Sequence, residues 1–258
     1  MKASDMKDGD ITSVIEEFAP LGTQEQWDNA GLCIGSPEDE VHAVMVGFDC
    51  TPSLVREAAG RGADMIVTHH PLIFGGLRRI DPRDPVGEAV MLAVRSGIAV
   101  YAAHTNADKA PGGVNTLIAE RLGLVEPEPL DESGLGWIGM LPAPMGGREF
   151  CFMVKERFSL RSLRCSAPVE EVFRVATSCG AGSSFASQAF EAGADAFVTA
   201  DVSYHRFFVP RGHMILDIGH WESEVDIVAK FVSLLRKKMP TFAVYTATQD
   251  NNNPIYYY

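Results

Sequence analysis

No part of this 258-residue sequence offers the roughly 20 consecutive apolar residues that a membrane-spanning helix requires. The uncharged stretch from Ser133 to Gly147 is broken by Pro142 and Pro144. The opening Met1-Lys2-Ala3-Ser4-Asp5 lacks the apolar core of a secretory leader. These absences predict a soluble, cytoplasmic protein. Cysteine is scarce. Cys33, Cys50, Cys151, Cys165 and Cys179 are odd in number and form no Cys-x-x-Cys, which argues against a disulfide framework and a thiolate zinc site. The five are expected to be reduced and mostly buried. Positive charge is also short. Lys and Arg total 22 against 34 for Asp and Glu, and the resulting −12 disfavours nucleic acid and anionic membrane as partners. There is no internal repeat, and bias is confined to the tail, Asn251-Asn252-Asn253-Pro254 and Tyr256-Tyr257-Tyr258.

What is present is globular: 46% hydrophobic residues exclude a disordered chain. Ile11, Val14, Ile15 and Phe18 have helical spacing, and Pro20 and Gly22 stop that helix. Strands are predicted at 41–48, 63–68 and 97–103. Helices lie between them, one capped by Thr51 with Pro52 in its first turn and one over 85–96. A further helix is expected over 112–123. Strands alternating with helices indicate βαβ units, hence an α/β protein with parallel-rich sheets. The Pro- and Glu-rich loop 126–136 marks a boundary. Beyond it, strands are expected at 136–141, 149–155, 172–177 and 194–200, with a helix after Phe158 and another from Gly180 to Gly193. A strand at 214–218, a long helix from His220 to about Met239 and a strand at 241–248 complete the chain. The expected organisation is two α/β units: 1–125 completed by 211–258, and an inserted unit over 126–210.

Three histidine-bearing segments each follow a predicted strand: His69-His70, His104-Thr105-Asn106-Ala107-Asp108, and His220-Trp221-Glu222-Ser223-Glu224. In a parallel sheet the carboxyl ends of the strands line the ligand crevice. Adjacent residues in extended chain point to opposite sides, so His69 and His70 suit two metal positions. His220 and Glu224 are four apart at a helix start and share a face. Asp108 precedes the Gly112-Gly113 turn. Imidazoles and carboxylates in this arrangement fit a divalent first-row metal. If Asp108 and Glu224 bridge two ions, positions remain open for water, as hydrolysis requires. The bland alternative for each segment is a strand-end histidine satisfied by backbone. For His104 that alternative stands beside a proton-shuttle role.

Other features are weaker. Cys179-Gly180-Ala181-Gly182-Ser183-Ser184 lacks the lysine of a P-loop and reads first as a tight turn, second as a phosphate site. Trp27-Asp28-Asn29 reads first as a buried turn, second as a substrate contact. Lys155, Arg157, Arg161 and Arg164 read as a solvated face.

Trp27-Asp28-Asn29-Ala30-Gly31-Leu32, His69-His70-Pro71-Leu72-Ile73-Phe74, His104-Thr105-Asn106-Ala107-Asp108, Gly112-Gly113 and Asp217-Ile218-Gly219-His220-Trp221-Glu222-Ser223-Glu224 occur in that order. Together they resemble the GTP cyclohydrolase I type 2 homologues, the NIF-three-like family, in its short form. The resemblance implies a two-unit NIF-three-like fold and two divalent metal ions held by His69, His70, Asp108, His220 and Glu224. Zinc, iron, manganese, cobalt and nickel are not distinguished by such ligands. It also implies a toroidal homohexamer and a hydrolase in which a metal hydroxide attacks a nucleotide-like substrate. A metal-dependent phosphoesterase and a metal-binding hexameric scaffold without turnover are the alternatives. One departure stands out: where the family often has a histidine pair, this chain has Tyr204-His205. His104 and His205 are the candidate acid–base residues.

Overall fold

The computed structural model of the chain describes residues 6–248 and 253–258; the leader reading of Met1–Asp5 and the tail residues Asn251 and Asn252 lie outside them. Two compact units divide the chain, one formed by residues through Ala110 with Ile227–Pro254, the other by Pro111–Asp226 with Ile255–Tyr258.

In the first unit, short apolar runs become fully buried strands: β2 (Ala43–Val46), β3 (Met65–Thr68) and β4 (Ala99–Ala102). A strand covered on both faces reads as a continuous apolar run rather than an alternation. These three pair in parallel, and β11 (Ala243–Thr246) joins in parallel beside β2. An additional strand, β1 (Gly31–Ile34), lies antiparallel to β4 at the other edge. The helices are α1 (Asp8–Phe18), α2 (Pro52–Gly60), α3 (Pro85–Ser96) and the single turn α4 (Thr105–Lys109). Thr51 caps α2 as expected, its Oγ1 accepting from Leu54 N at 3.2 Å. Leu54, Val55, Ala89 and Ala93 pack on Met45, Ile66 and Val100 as one core.

The second unit is a six-stranded sheet of β5 (Val125–Pro129), β6 (Trp137–Met145), β7 (Arg164–Cys165), β8 (Val172–Thr177), β9 (Ala196–Thr199) and β10 (Met214–Asp217). Its order is β5-β6-β8-β9-β10-β7, with β8, β9 and β10 parallel and antiparallel strands flanking them. α5 (Val114–Leu122), α6 (Gly147–Arg157), α7 (Ala186–Glu191) and α8 (His220–Glu224) accompany it. The last helix, α9 (Asp226–Lys238), belongs to the first unit from Ile227 onward and buries Ile227, Val228, Phe231, Val232 and Leu235 along one face. Each such side chain contributes roughly 1.5–3 kcal/mol.

The class is therefore α/β with parallel strands at the centre of both sheets. Four elements differ from expectation. The strand at 214–217 pairs with β9 and not with the first sheet, so residues 211–226 go with the second unit. Residues 149–155 are helical: Phe150, Val154 and Phe158 recur every four residues and are buried, while Phe152 is 70% exposed. The apolar run there has the helical period, not the strand one. The segment after Phe158 leads to the edge strand β7 instead of a helix. The long C-terminal helix is also interrupted, at Val225, into α8 and α9.

Candidate metal centre

β3 and β4 are parallel neighbours with Thr68 opposite Ala102, so the residues after them leave the sheet at one edge. His69-His70 follow the first and Ala103-His104 the second. The N–H groups of His69 and His70 both donate to the Phe48 carbonyl, at 3.2 and 3.3 Å. Three imidazoles are then anchored in the same way. His69 Nδ1 is 2.9 Å from the Ala103 carbonyl, His70 Nδ1 is 2.7 Å from Asp49 Oδ1, and His104 Nδ1 is 2.8 Å from Asp28 Oδ1. A carbonyl and two carboxylates can only accept, so each Nδ1 carries the proton and each Nε2 carries the lone pair. One ligand nitrogen from each ring lies within 4.8 Å of the others. Asp108, on α4 and nearly fully buried, places Oδ1 3.5 Å from His69 Nε2. The donor set fits a divalent metal: clustered imidazole nitrogens and a carboxylate, each ring oriented through its remote nitrogen.

Asp28 is the firmest of these anchors. Burial pushes its carboxyl up, but hydrogen bonds from the His104 ring and from Thr105 outweigh that and hold it down at about 2. Thr105 N donates to Oδ2 at 3.0 Å, the Thr105 hydroxyl donates to the same oxygen, and Asn29 N donates to Oδ1 at 2.7 Å. Asn29 Nδ2 also donates to the Ile73 carbonyl at 2.6 Å, tying two loops together. Those loops present Trp27 and Phe74, both more than half exposed, with ring centroids 5.8 Å apart and 6.2 and 5.6 Å from His104. Asp28 and Asn29 thus behave as the expected turn, whereas Trp27 is not buried.

In the second unit, β10 runs into Gly219 at φ 89° and then α8. His220 Nε2 lies 3.0 Å from Glu224 Oε2, and His220 Nδ1 lies 2.7 Å from Asp201 Oδ2. The four-residue spacing therefore pairs the two side chains as expected. An imidazole nitrogen and a carboxylate oxygen at this separation are donors that one divalent ion takes together. Asp201 sits at φ 50°, in the left-handed region. Gly180, at φ 49°, passes so close that a Cβ there would run into the Glu224 carboxylate. Ser223 Oγ accepts from Gly180 N at 3.1 Å, fixing that approach. The Cys179–Ser184 turn thus packs against the His220–Glu224 pair.

His205 lies elsewhere on the second unit, in a short turn where its ring meets Tyr204 and Phe208. It borders a cavity of about 380 Å³ with His213 and Glu191. Arg164 of the basic run is exposed and pairs with Asp217. Sequence reasoning missed the three carboxylate anchors Asp28, Asp49 and Asp201. Asp28 and Asp201 had a signal, since each stands in a polar break beside a motif already singled out.

The family model for Duf34/NIF3 (NGG1p interacting factor 3) matches residues 6–254. A Clostridium perfringens protein named GTP cyclohydrolase 1 type 2 homolog is 31% identical over 96% of this chain and 98% of its own length. Among solved structures, a Staphylococcus aureus hypothetical protein is 26% identical with a TM-score of 0.86, over 98% of this chain and 99% of that one. A Bacillus cereus protein related to NIF3, at 24% identity, has the same fold, with a TM-score of 0.89 over 99% of this chain and 100% of that one.

Proposed function

This chain belongs to the Duf34/NIF3 family, and from that premise we propose that it is a divalent-metal-dependent hydrolase acting on a nucleotide-like substrate. The observation that carries the proposal is the cluster of His69, His70 and His104, each ring held through Nδ1 so that Nε2 carries the lone pair. With His69 and His70, Asp108, His220 and Glu224 are the ligands of this reading, for two ions per chain, and His104 is its proton carrier. When bound, the metal lowers the pKa of a water to near neutrality and polarises the substrate. Asp28 keeps His104 in one tautomer, and His104 takes or returns a proton at Nε2. Trp27 and Phe74 offer exposed aromatic faces beside His104, on which a planar base stacks. His205 is the second proton carrier of this reading. The chain assembles as a ring of six, which light scattering checks as a mass six times that of the chain.

The name GTP cyclohydrolase 1 type 2 homolog, borne by the relatives, suggests the first substrate. Metal-replete protein is incubated with GTP and with generic phosphoesters, wild type beside Asp108→Ala and His205→Ala. A ring-opened or formylated product that Asp108→Ala fails to make supports the cyclohydrolase. Released phosphate supports a phosphoesterase. Absence of turnover on all of them contradicts the enzyme and favours a metal-binding scaffold.

A further inference from the structure

The five cysteines are not equivalent. Cys50 and Cys179 are buried and Cys33 is half-buried, its thiol pushed up to about 11 by burial. Cys151, on α6, and Cys165, on β7, are different: their sulfurs are 3.8 Å apart in one unit, with Cys165 exposed. Burial, with the Cys165 sulfur beside it, pushes the Cys151 thiol up to about 12. The assignment of roles is therefore asymmetric. Cys165 is exposed and reachable by an oxidant. Cys151 is partly sheltered, stays protonated, and is positioned to attack once its neighbour has reacted.

We propose that Cys151 and Cys165 are a reversible dithiol–disulfide pair that takes low-molecular-weight disulfides, such as oxidised glutathione, as its oxidant. The Cys165 thiolate attacks one sulfur of glutathione disulfide, forming a mixed disulfide and releasing one glutathione thiolate. Cys151 then loses its proton and attacks Cys165 Sγ, forming the internal S–S bond and releasing the second glutathione thiolate. Two protein thiols are oxidised and one glutathione disulfide is reduced to two glutathiones, so electrons and protons balance. The sulfurs must close from contact to about 2.05 Å. β7 permits this, because it is a two-residue strand at the sheet edge, bound on one side only, to Leu216 and Asp217 of β10.

The bond would staple that edge to α6. It would do so next to the Arg164–Asp217 ion pair, on the strand pair from which the chain proceeds to His220. The inference stands apart from the hydrolase reading, since neither cysteine is among its ligands or proton carriers.

The test uses reduced full-length protein equilibrated in glutathione buffers of graded poise, acid-quenched, and read by intact mass and by mapping of linked peptides. Wild type is expected to lose two hydrogens in mass and to yield one linked pair, 151 with 165. Cys151→Ser is expected to stop at the glutathione adduct on Cys165, at least about tenfold more abundant than in wild type. Cys165→Ser is expected to form neither species. A wild type that accumulates the adduct without resolving it overturns the proposal. So does a linked pair that involves Cys33, Cys50 or Cys179, or a Cys151→Ser that behaves like wild type.

Discussion

In the first unit His69, His70 and His104 hang on oxygens, two of which, the Ala103 carbonyl and Asp28, are buried. In the second unit His220 hangs on Asp201, whose side chain is 50% exposed and whose backbone is left-handed. Both arrangements fix an imidazole through Nδ1. The first does so inside the sheet's own hydrogen-bonded edge, so position comes with folding. The second relies on a bent turn and on a glycine that leaves room for Glu224. Orientation by a buried, multiply bonded carboxylate is stiff; orientation by an exposed one is screened and adjustable.

The sharpest way to test this difference is to remove the stiff anchor. Asp28→Ala leaves Thr105 N and the His104 ring without their acceptor. Metal affinity is expected to fall about 10- to 100-fold, and stability by about 2–4 kcal/mol, read by metal titration and urea unfolding. The glycine of the second unit comes next. Gly180→Ala places a methyl against Glu224 at a positive φ, and is expected to cost about 1–3 kcal/mol and to weaken metal binding, checked by the same two measurements.

A third variant asks whether burial or bonding makes Asp28 favourable. Asp8 is also buried in the first unit, 1% exposed, but neither oxygen has a hydrogen-bond donor among the described residues. Burial, helped by the charges of Asp39 and Asp64, pushes its carboxyl up to about 7. The folded state therefore binds this proton more tightly than the unfolded one, and stability declines as pH rises from about 4 to about 7. Asp8→Asn is expected to raise stability by about 1–3 kcal/mol at pH 8 and by almost nothing at pH 4, as pH-dependent unfolding would show. The smallest effect belongs to the exposed anchor. Asp201→Ala is expected to change stability by under about 1 kcal/mol and metal affinity by no more than about tenfold. Equal losses for Asp28→Ala and Asp201→Ala would erase the distinction between the two units.

Much of this was readable in the order of residues, and the remainder follows a pattern. The buried parallel strands and the Thr51 cap are local features, and the structure has them where periodicity and propensity put them. The pairing of His220 with Glu224 is a matter of helical spacing. Anchors are not local: Asp28 meets His104 across 76 positions, and Asp201 meets His220 across 19. Sheet membership is not local either, which is why β10 was expected in the wrong sheet. Phe150 to Val154 alone is short and apolar throughout and suits a strand or a buried helix equally; the helical period of α6 shows only when Phe158 is counted with it. The proximity of Cys151 and Cys165 depends on that helix, so sequence spacing gave no hint of it.

The account rests on the imidazole and carboxylate groups being metal ligands, and metal content tests that most directly. Full-length protein reconstituted with a single divalent metal, freed of excess and analysed by elemental mass spectrometry, is expected to hold about two ions per chain. Glu224→Ala is expected to lose most of them. Protein that retains no metal, or a Glu224→Ala variant whose content matches wild type, would contradict it.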